Sequence, residues 1–469
     1  MNSKTLNVAS LEGCMILKGS EGSGGGGGAI INNQEKSVDI TENGVTEVTA
    51  DAGFTGLSKV VVNTNVASSG GCGSDMPVIG DGKTYLYITI PDDAHSAMDL
   101  YFTQTVANGV AIDWGDGSAP ESLSGTGNKN CTHEYSAAGD YVVSLDPAEG
   151  CTLGLGRSSS SYCIMGTVSD SRTVNINVLK AAEIGKNVIG VNKYAFKGCS
   201  ALKSVVISEG ATSIGDYAFD GCNSLSSVVI PEGVTSIGSY AFNNCSGLFV
   251  LTIPKGVRSI GNNAFYYCSG LSSIEIPDSV TSIGNSAFEM CQSLKSVVIP
   301  DGVTSIGTNA FRNCWRISSI EIPDSVTSIG KYAFHTCRIL SSVVISKGAT
   351  STGDYAFDSC KVLSSVVIPE GVTSIGNYAF QNCHSLSSVV IPGSVTSIGS
   401  VAFSKCYGLA LCDFSNSQSV PTLGNSAYAS STLCKIVVPD ALYDEWIAAT
   451  NWSELASQII KKSDWDAQS

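Results

Sequence analysis

Ten cysteines recur at an unbroken interval of 23 residues, from Cys199, Cys222 and Cys245 through to Cys406. Three residues before each stands a phenylalanine, Phe196 to Phe403, always preceded by alanine. Three residues after each stands leucine, or isoleucine at Ile317. A short β-branched run such as Val228-Val229-Ile230 follows, usually closed by proline. These runs are short and bounded by turn residues, and no period near 3.6 is sustained over a helix-length window. A unit of this length cannot bury its own apolar side chains, so the copies must stack into a solenoid.

One coil can be drawn from the residues. Leu225, Val228 and Ile230 point inward from a strand, and Pro231 and Gly233 end it, because proline donates nothing to a ladder and glycine takes the bend. Val234, Ile237, Ala241, Phe242 and Cys245 fill the core from the return path. A first coil without its cysteine shows the same register in Leu179, Ala182, Ile184, Val188, Val191, Ala195 and Phe196, and a last degenerate coil in Leu423, Ala427 and Tyr428. About eleven strands at roughly 4.8 Å spacing make a parallel sheet on the order of 50 Å long. Each cysteine falls at the bend into the next strand, where a small buried residue fits. Equivalent residues of stacked coils point the same way, which is poor disulfide geometry, and the metal-binding spacings C-x-x-C and H-x-x-x-H are absent from the sequence. The ladder is therefore expected to consist of buried free thiols, with no metal and no cofactor.

The phrase L-x-S-V-V-I-P-x-G-V-T-S-I-G-x-x-A-F-x-x-C resembles the BspA-like class of leucine-rich repeats over residues 179–434. That resemblance implies a surface-exposed, ligand-binding solenoid of the kind described as adhesins. Thr352 stands where isoleucine is expected, Ala211 and Ala349 replace valine, and Ser208 and Ser346 replace proline, so these coils should be locally weaker with the register intact.

The expected fold is mainly β: residues 1–31 form a flexible glycine-rich segment, 32–66 a small β attachment module, 67–81 a linker, 82–178 a β-sandwich, 179–434 the solenoid and 435–469 a C-terminal strand and helical cap. In the fourth segment, Asp113-Trp114-Gly115-Asp116-Gly117 with His133-Glu134-Tyr135 and Gly139-Asp140-Tyr141 is similar to the PKD-like sandwich, where these residues are framework. Asp113 and Asp116 are read as turn formers in preference to calcium ligands. Pairing of Cys151 with Cys163 stays open. Residues 37–66 alternate around Asn43-Gly44, a hairpin signal, and resemble a short β-motif of phage tail-associated and related gut-bacterial proteins. In the last segment Asp440 is a candidate helix N-cap, and Leu442, Trp446 and Ile447 would cover the end of the stack.

Acidic residues outnumber basic ones 41 to 26, which argues against a nucleic-acid partner. No stretch approaches the roughly 20 apolar residues of a membrane span, and the N-terminus lacks the apolar core of a signal peptide. No G-x-S-x-G or H-E-x-x-H occurs, and the GDGKT of residues 80–84 has Pro77 where a phosphate loop requires glycine, so the chain is read as no enzyme.

Two surfaces are candidates for binding. The outward row of the sheet runs through Val229, Glu275, Val298, Glu321, Val344, Val367 and Val390 beside a row of serines, and suits a flat or repetitive ligand. Valine also simply favours strands, and both readings stand at this point. Variation concentrates instead around the cysteines, at Tyr266, Tyr267, Trp315, Arg316, His335, Arg338, His384 and Tyr407, where aromatic rings beside arginine are typical of recognition sites. Ordinary drift at exposed turns is the competing account. The expectation is an adhesion protein on an extracellular surface, virion or bacterial, with a cell-surface protein or glycan as partner and attachment through residues 32–66. An intracellular protein-interaction scaffold is the alternative.

Overall fold

A computed structural model describes residues 81–90, 97–156, 177–431 and 434–468, Ile164, and the backbone of Leu6–Leu11, Cys14–Gly19, Val45–Val48, Val60–Asn63, Tyr162–Cys163 and Gly166–Thr167. The chain is mainly β, and its body is a parallel solenoid. Successive coils lay strands parallel and in register in several short sheets: Ser204 faces Ser227, Val205 faces Val228 and Val206 faces Val229, and the last such sheet carries Asp413 against Val437. The residues drawn above as inward are buried, including Leu225, Val234, Ile237, Ala241, Phe242 and Cys245, and Ile230 packs half-buried against them.

The return path, read from the sequence only as core-filling, forms a second parallel row. Ser213–Ile214, Ser236–Ile237 and Ser259–Ile260 pair in succession, each isoleucine buried. A two-residue strand is too short to show a period of two, so the sequence pattern does not reveal it. The glycine that follows is obligatory: a Cβ on Gly307 would lie 2.6 Å from the Asn285 nitrogen and from the Gly284 carbonyl carbon. Thr352 interrupts this row. It is buried and its Oγ1 accepts the Gly376 N–H at 2.9 Å, and the local strand shrinks to a single bridge between Ser351 and Ser374. The pairing is shortened where the sequence departs from the consensus, and the register survives.

Three ladders run along the stack. The Phe196–Phe403 rings lie face to face with centroids 5.1–5.4 Å apart, and Tyr428 ends the series at 5.4 Å. The thiol of each repeat cysteine from Cys222 to Cys406 donates to the carbonyl of the phenylalanine one coil earlier, as Cys245 does to Phe219 at 3.1 Å. In the degenerate last coil Ser431 takes this role, its Oγ donating to the Phe403 carbonyl at 2.7 Å. On the outside, threonine hydroxyls bond the preceding coil, as Thr304 does to Thr281 at 3.2 Å.

Every coil also turns twice through the left-handed region, at the residue before Ala-Phe and, from the third cysteine on, at a non-glycine residue before Cys, as in Tyr240 and Asn244, both with φ of 58°. Such backbone costs an L-residue roughly 1–2 kcal/mol, least for Asn and Gly. Val401, with φ of 61°, occupies the position filled by Asn263 and Asn309 in other coils. Val401→Asn is expected to raise stability by about 1 kcal/mol, read as an upward shift of the denaturant midpoint at unchanged slope.

Both rows of the solenoid continue into the preceding β-structure. A seven-stranded sheet passes from Ser227–Val229, Ser204–Ile207 and Leu179–Ile184 into Thr84–Ile90, Gly139–Pro147, Val110–Asp113 and Glu121–Ser122. The second row passes from Val188–Val191 into Leu153–Leu155, Ala97–Gln104 and Gly127–Glu134. Thr84–Ile90 runs antiparallel to Leu179–Ile184, so the first solenoid strand has no free edge. Val45–Val48 pairs antiparallel with Val60–Asn63, while a hairpin about Asn43-Gly44 lies outside the described residues. Within residues 1–31, Leu6–Leu11 pairs antiparallel with Cys14–Gly19.

At the other end the helical cap is reordered relative to expectation. After Lys435–Val438 comes the short helix Tyr443–Ala448, then a further parallel strand, Ile459–Lys461, then the helix Lys462–Asp466. Asp440 does not cap the helix next to it. Its carboxylate instead accepts the Ser463 N–H at 3.0 Å and ties down the terminal segment. Trp446 and Trp452 are fully buried against Phe414. No helix among the described residues is long and apolar enough to cross a membrane.

Candidate functional site

The Asp113–Gly117 turn is held by its own side chains. Asp113 Oδ1 accepts the Gly115 N–H at 2.9 Å and Asp116 Oδ1 the Ser118 N–H at 3.0 Å, the geometry of Asx turns. His133 Nε2 meets Asp116 Oδ2 at 2.8 Å, and its ring stacks on Trp114 at 4.7 Å. The Tyr135 hydroxyl donates to the Trp114 carbonyl at 2.9 Å. Hydrogen bonds from Ser118 and His133 hold the Asp116 carboxyl far below the usual carboxylate range. These groups are occupied in bracing one corner of the β-structure.

The cysteine ladder offers no chemistry either. Burial pushes the Cys268 and Cys406 thiols up to about 12, and Cys245, Cys291, Cys360 and Cys383 well above the ordinary thiol value for the same reason. A thiol held protonated is neither nucleophile nor metal ligand. The eight from Cys245 to Cys406 are free thiols, as is Cys151, whereas the Cys163 side chain lies outside the described residues. Among the described residues no three His, Cys, Asp or Glu side chains converge on a metal position. The ladder thiols are expected to resist alkylation by iodoacetamide at pH 8 in the folded protein and to label fully in denaturant, counted by mass spectrometry.

Recognition is left to the surface, and there the two candidates differ. The outward row of the sheet is only partly open. Val298 is 74% exposed, and Glu275, Glu321, Val344, Val367 and Val390 are exposed, but Val229 is half-buried and its predecessors Glu183 and Val206 are buried. Thr84–Ile90 sets Tyr85 beside Glu183 in the register, so this end of the row is no free surface.

The turn around each cysteine presents two different columns. In one, two residues before the cysteine, side chains bond from coil to coil: Lys197 to Asp220 at 3.1 Å, Arg312 to Glu289 at 3.5 Å, and His335 to Asp358 at 3.2 Å. His335 thus belongs to the ladder that ties the stack, and Tyr266 lies half-buried in the same column with its ring 6.4 Å from that of exposed Tyr267. The other column is the residue after each cysteine. In five consecutive coils it reads Trp315, Arg338, Lys361, His384 and Tyr407, where the preceding coils carry Ser200, Asn223, Ser246, Ser269 and Gln292. Parallel register sets these side by side. The Arg338 guanidinium lies 4.0 Å over the Trp315 ring, and His384 and Tyr407 are 5.0 Å apart. Burial, with Lys361 and Lys405 nearby, holds the His384 imidazole below its ordinary value. The structure therefore brings Trp315, Arg338, His384 and Tyr407 into one line, with Arg316 next to it, and leaves Tyr266, Tyr267 and His335 off it. Lys361 stands in the same line, and Lys405, Ile339 and Val362 border it; none of the four was singled out from sequence. Aligning the coils and reading down the column after cysteine finds Lys361, and the columns on either side of it give the other three.

This geometry is that of a repeat solenoid whose variable residues lie on one edge. A family model described as the BspA type leucine rich repeat region matches residues 174–295, 258–383 and 327–444, more than half of the chain. The chain belongs to the BspA-type leucine-rich repeat family. Among solved structures, this BspA-type chain is similar to a leucine-rich repeat protein from Bacteroides ovatus, at 24% identity over 58% of this chain and 87% of that one, with a TM-score of 0.35. It is also similar to a leucine rich cell surface protein from Faecalibacterium prausnitzii, at 32% identity, 51% and 80% coverage and a TM-score of 0.31. The pneumococcal vaccine antigen PcpA matches at 16% identity, 61% and 83% coverage and a TM-score of 0.34. No curated protein matches the chain. BspA-type repeats build binding scaffolds, and the variable column after the cysteines is where this scaffold departs from its own consensus.

Proposed function

We propose that this protein is a non-enzymatic adhesion or ligand-binding protein that acts on an extracellular surface, virion or bacterial, with the cysteine-side edge of its solenoid as the contact region. The observation that carries the reading is the unbroken run of aromatic and basic residues, Trp315 to Tyr407, in one surface column of the stack. Membership of the BspA-type family supports it, since such repeats are typical of bacterial surface proteins that bind other proteins. Residues 32–66 are the proposed attachment module and the PKD-like β-structure the part that joins it to the solenoid.

Two measurements test this. Immunogold microscopy of the producing culture, with antibody against residues 179–469, should place the protein on phage particles or on the cell envelope. Labelling confined to the cytoplasm would sink the surface reading in favour of a scaffold. Purified protein with Tyr266, Tyr267 and Trp315 replaced by alanine should lose at least about tenfold in binding to the target surface at unchanged circular dichroism, the scale of truncating a hot spot. Unchanged binding would remove this edge from consideration and leave the valine row of the sheet.

A further inference from the structure

The edge residues combine bases with exposed apolar side chains in one line. The chain carries a formal net charge of −15, yet the two residues after each cysteine from Trp315 to Gly408 include no acid. They include three bases, Arg316, Arg338 and Lys361, and Lys405 stands just before the last of these cysteines. In the neighbouring column, two residues before the cysteines, Lys197, Arg312 and His335 are matched to carboxylates one coil away. Among the described residues no carboxylate pairs with Arg316, Arg338, Lys361 or Lys405. In an acidic protein, four cations on one edge without a carboxylate partner make a local positive field that draws an anionic one.

Apolar side chains interrupt the bases. Ile339 and Val362 directly follow Arg338 and Lys361 and are 47% and 41% exposed, and Tyr407 closes the line at 54%. Branched aliphatic side chains left in water beside charge are matched by a polypeptide that offers both carboxylates and apolar side chains, better than by a polymer of charged sugars with none. The column of five coils is about 20 Å long, the reach of about six residues of extended chain.

Resting on the reading of this edge as the contact region, the geometry points to an extended acidic segment of a partner protein as its occupant. The segment's carboxylates meet Arg316, Arg338, Lys361 and Lys405, and an apolar side chain among them covers Ile339 and Val362. The Trp315 ring, capped by Arg338, and Tyr407 bound the two ends of the contact.

The test uses the full chain and three labelled probes: a peptide alternating glutamate with leucine, an all-glutamate peptide, and polygalacturonate as a charged glycan. Fluorescence anisotropy should show the mixed peptide binding tightest, and weakening several-fold between about 50 and about 200 mM salt as exposed charges are screened. The double variant R316E/K361E should lower its affinity by at least about tenfold; both residues are exposed and the fold is checked by circular dichroism. The variant I339S/V362S should weaken the mixed peptide and leave the all-glutamate peptide unaffected. Polygalacturonate binding more tightly than either peptide, and lost in R316E/K361E, would overturn the protein partner in favour of an acidic glycan. Binding of no probe, or binding indifferent to R316E/K361E, would overturn the anionic site altogether. If that happened while the Tyr266, Tyr267 and Trp315 alanine variant still lost surface binding, the contact-edge reading would stand and this inference alone would fall.

Discussion

Phe311→Ala is expected to destabilise the protein by about 3–5 kcal/mol and to divide its thermal unfolding into two transitions. Phe311 is fully buried, with the Phe288 ring 5.2 Å on one side and the Phe334 ring 5.4 Å on the other. Removing it leaves a void that the two flanking rings cannot close, because each is held by the next ring outward. In a stack where each coil touches only its neighbours, stability is a sum of coil and interface terms, so one broken interface also uncouples the halves. Calorimetry should resolve the split, with the Val401 side melting apart from the half joined to the N-terminal β-structure. A single transition at the original temperature would show that the ring ladder does not carry the coupling. Cys314→Ser is the informative contrast. Ser431 already makes the bond to a phenylalanine carbonyl that the thiols make, so serine should cost far less than the ring deletion.

Truncation after Pro439 is expected to give oligomers larger than the full chain forms, or precipitate, followed by light scattering on a sizing column. The missing segment supplies Ile459–Lys461, which pairs with Lys435–Val438, and it supplies both indoles of the cap. Trp446 and Trp452 pack 4.4 Å apart, and Trp452 Nε1 donates to the Pro421 carbonyl at 2.7 Å. Without them the last strand shows an unpaired edge and Phe414 faces water, a template for pairing with another copy. Trp446→Ala in the full chain tests the packing part alone and should cost about 3–5 kcal/mol while the edge stays covered. A truncated chain that kept the oligomeric state of the full chain would show that the stack ends safely at Lys435–Val438.

What could be read in the sequence follows from what a repeat encodes locally. The interval of 23 sets the coil, and the buried positions Leu225, Val228, Val234, Ile237, Ala241, Phe242 and Cys245 follow from one copy and hold for the others. The weak coil at Thr352 and the terminal coil at Tyr428 are legible as departures from that copy. The second row of strands escaped because Ser236–Ile237 is too short to carry a period, and its pairing exists only between coils.

The same reason divides the candidate site. Trp315, Arg338, His384 and Tyr407 are visible as variable residues, but only parallel register shows that they share a column with Lys361, whereas His335 is claimed by Asp358 one coil on. The joint between the solenoid and the preceding β-structure lies wholly in the tertiary structure. Thr84–Ile90 and Leu179–Ile184 are far apart in the chain and share no repeat, and nothing in either segment names the other as its partner. The sequence alone therefore determined the coil, its core and its stacking, since a unit that repeats itself states its own neighbour. Only the tertiary structure decided how the stack begins and ends, and which surface charges are left unmatched, because those depend on pairings between segments that occur once.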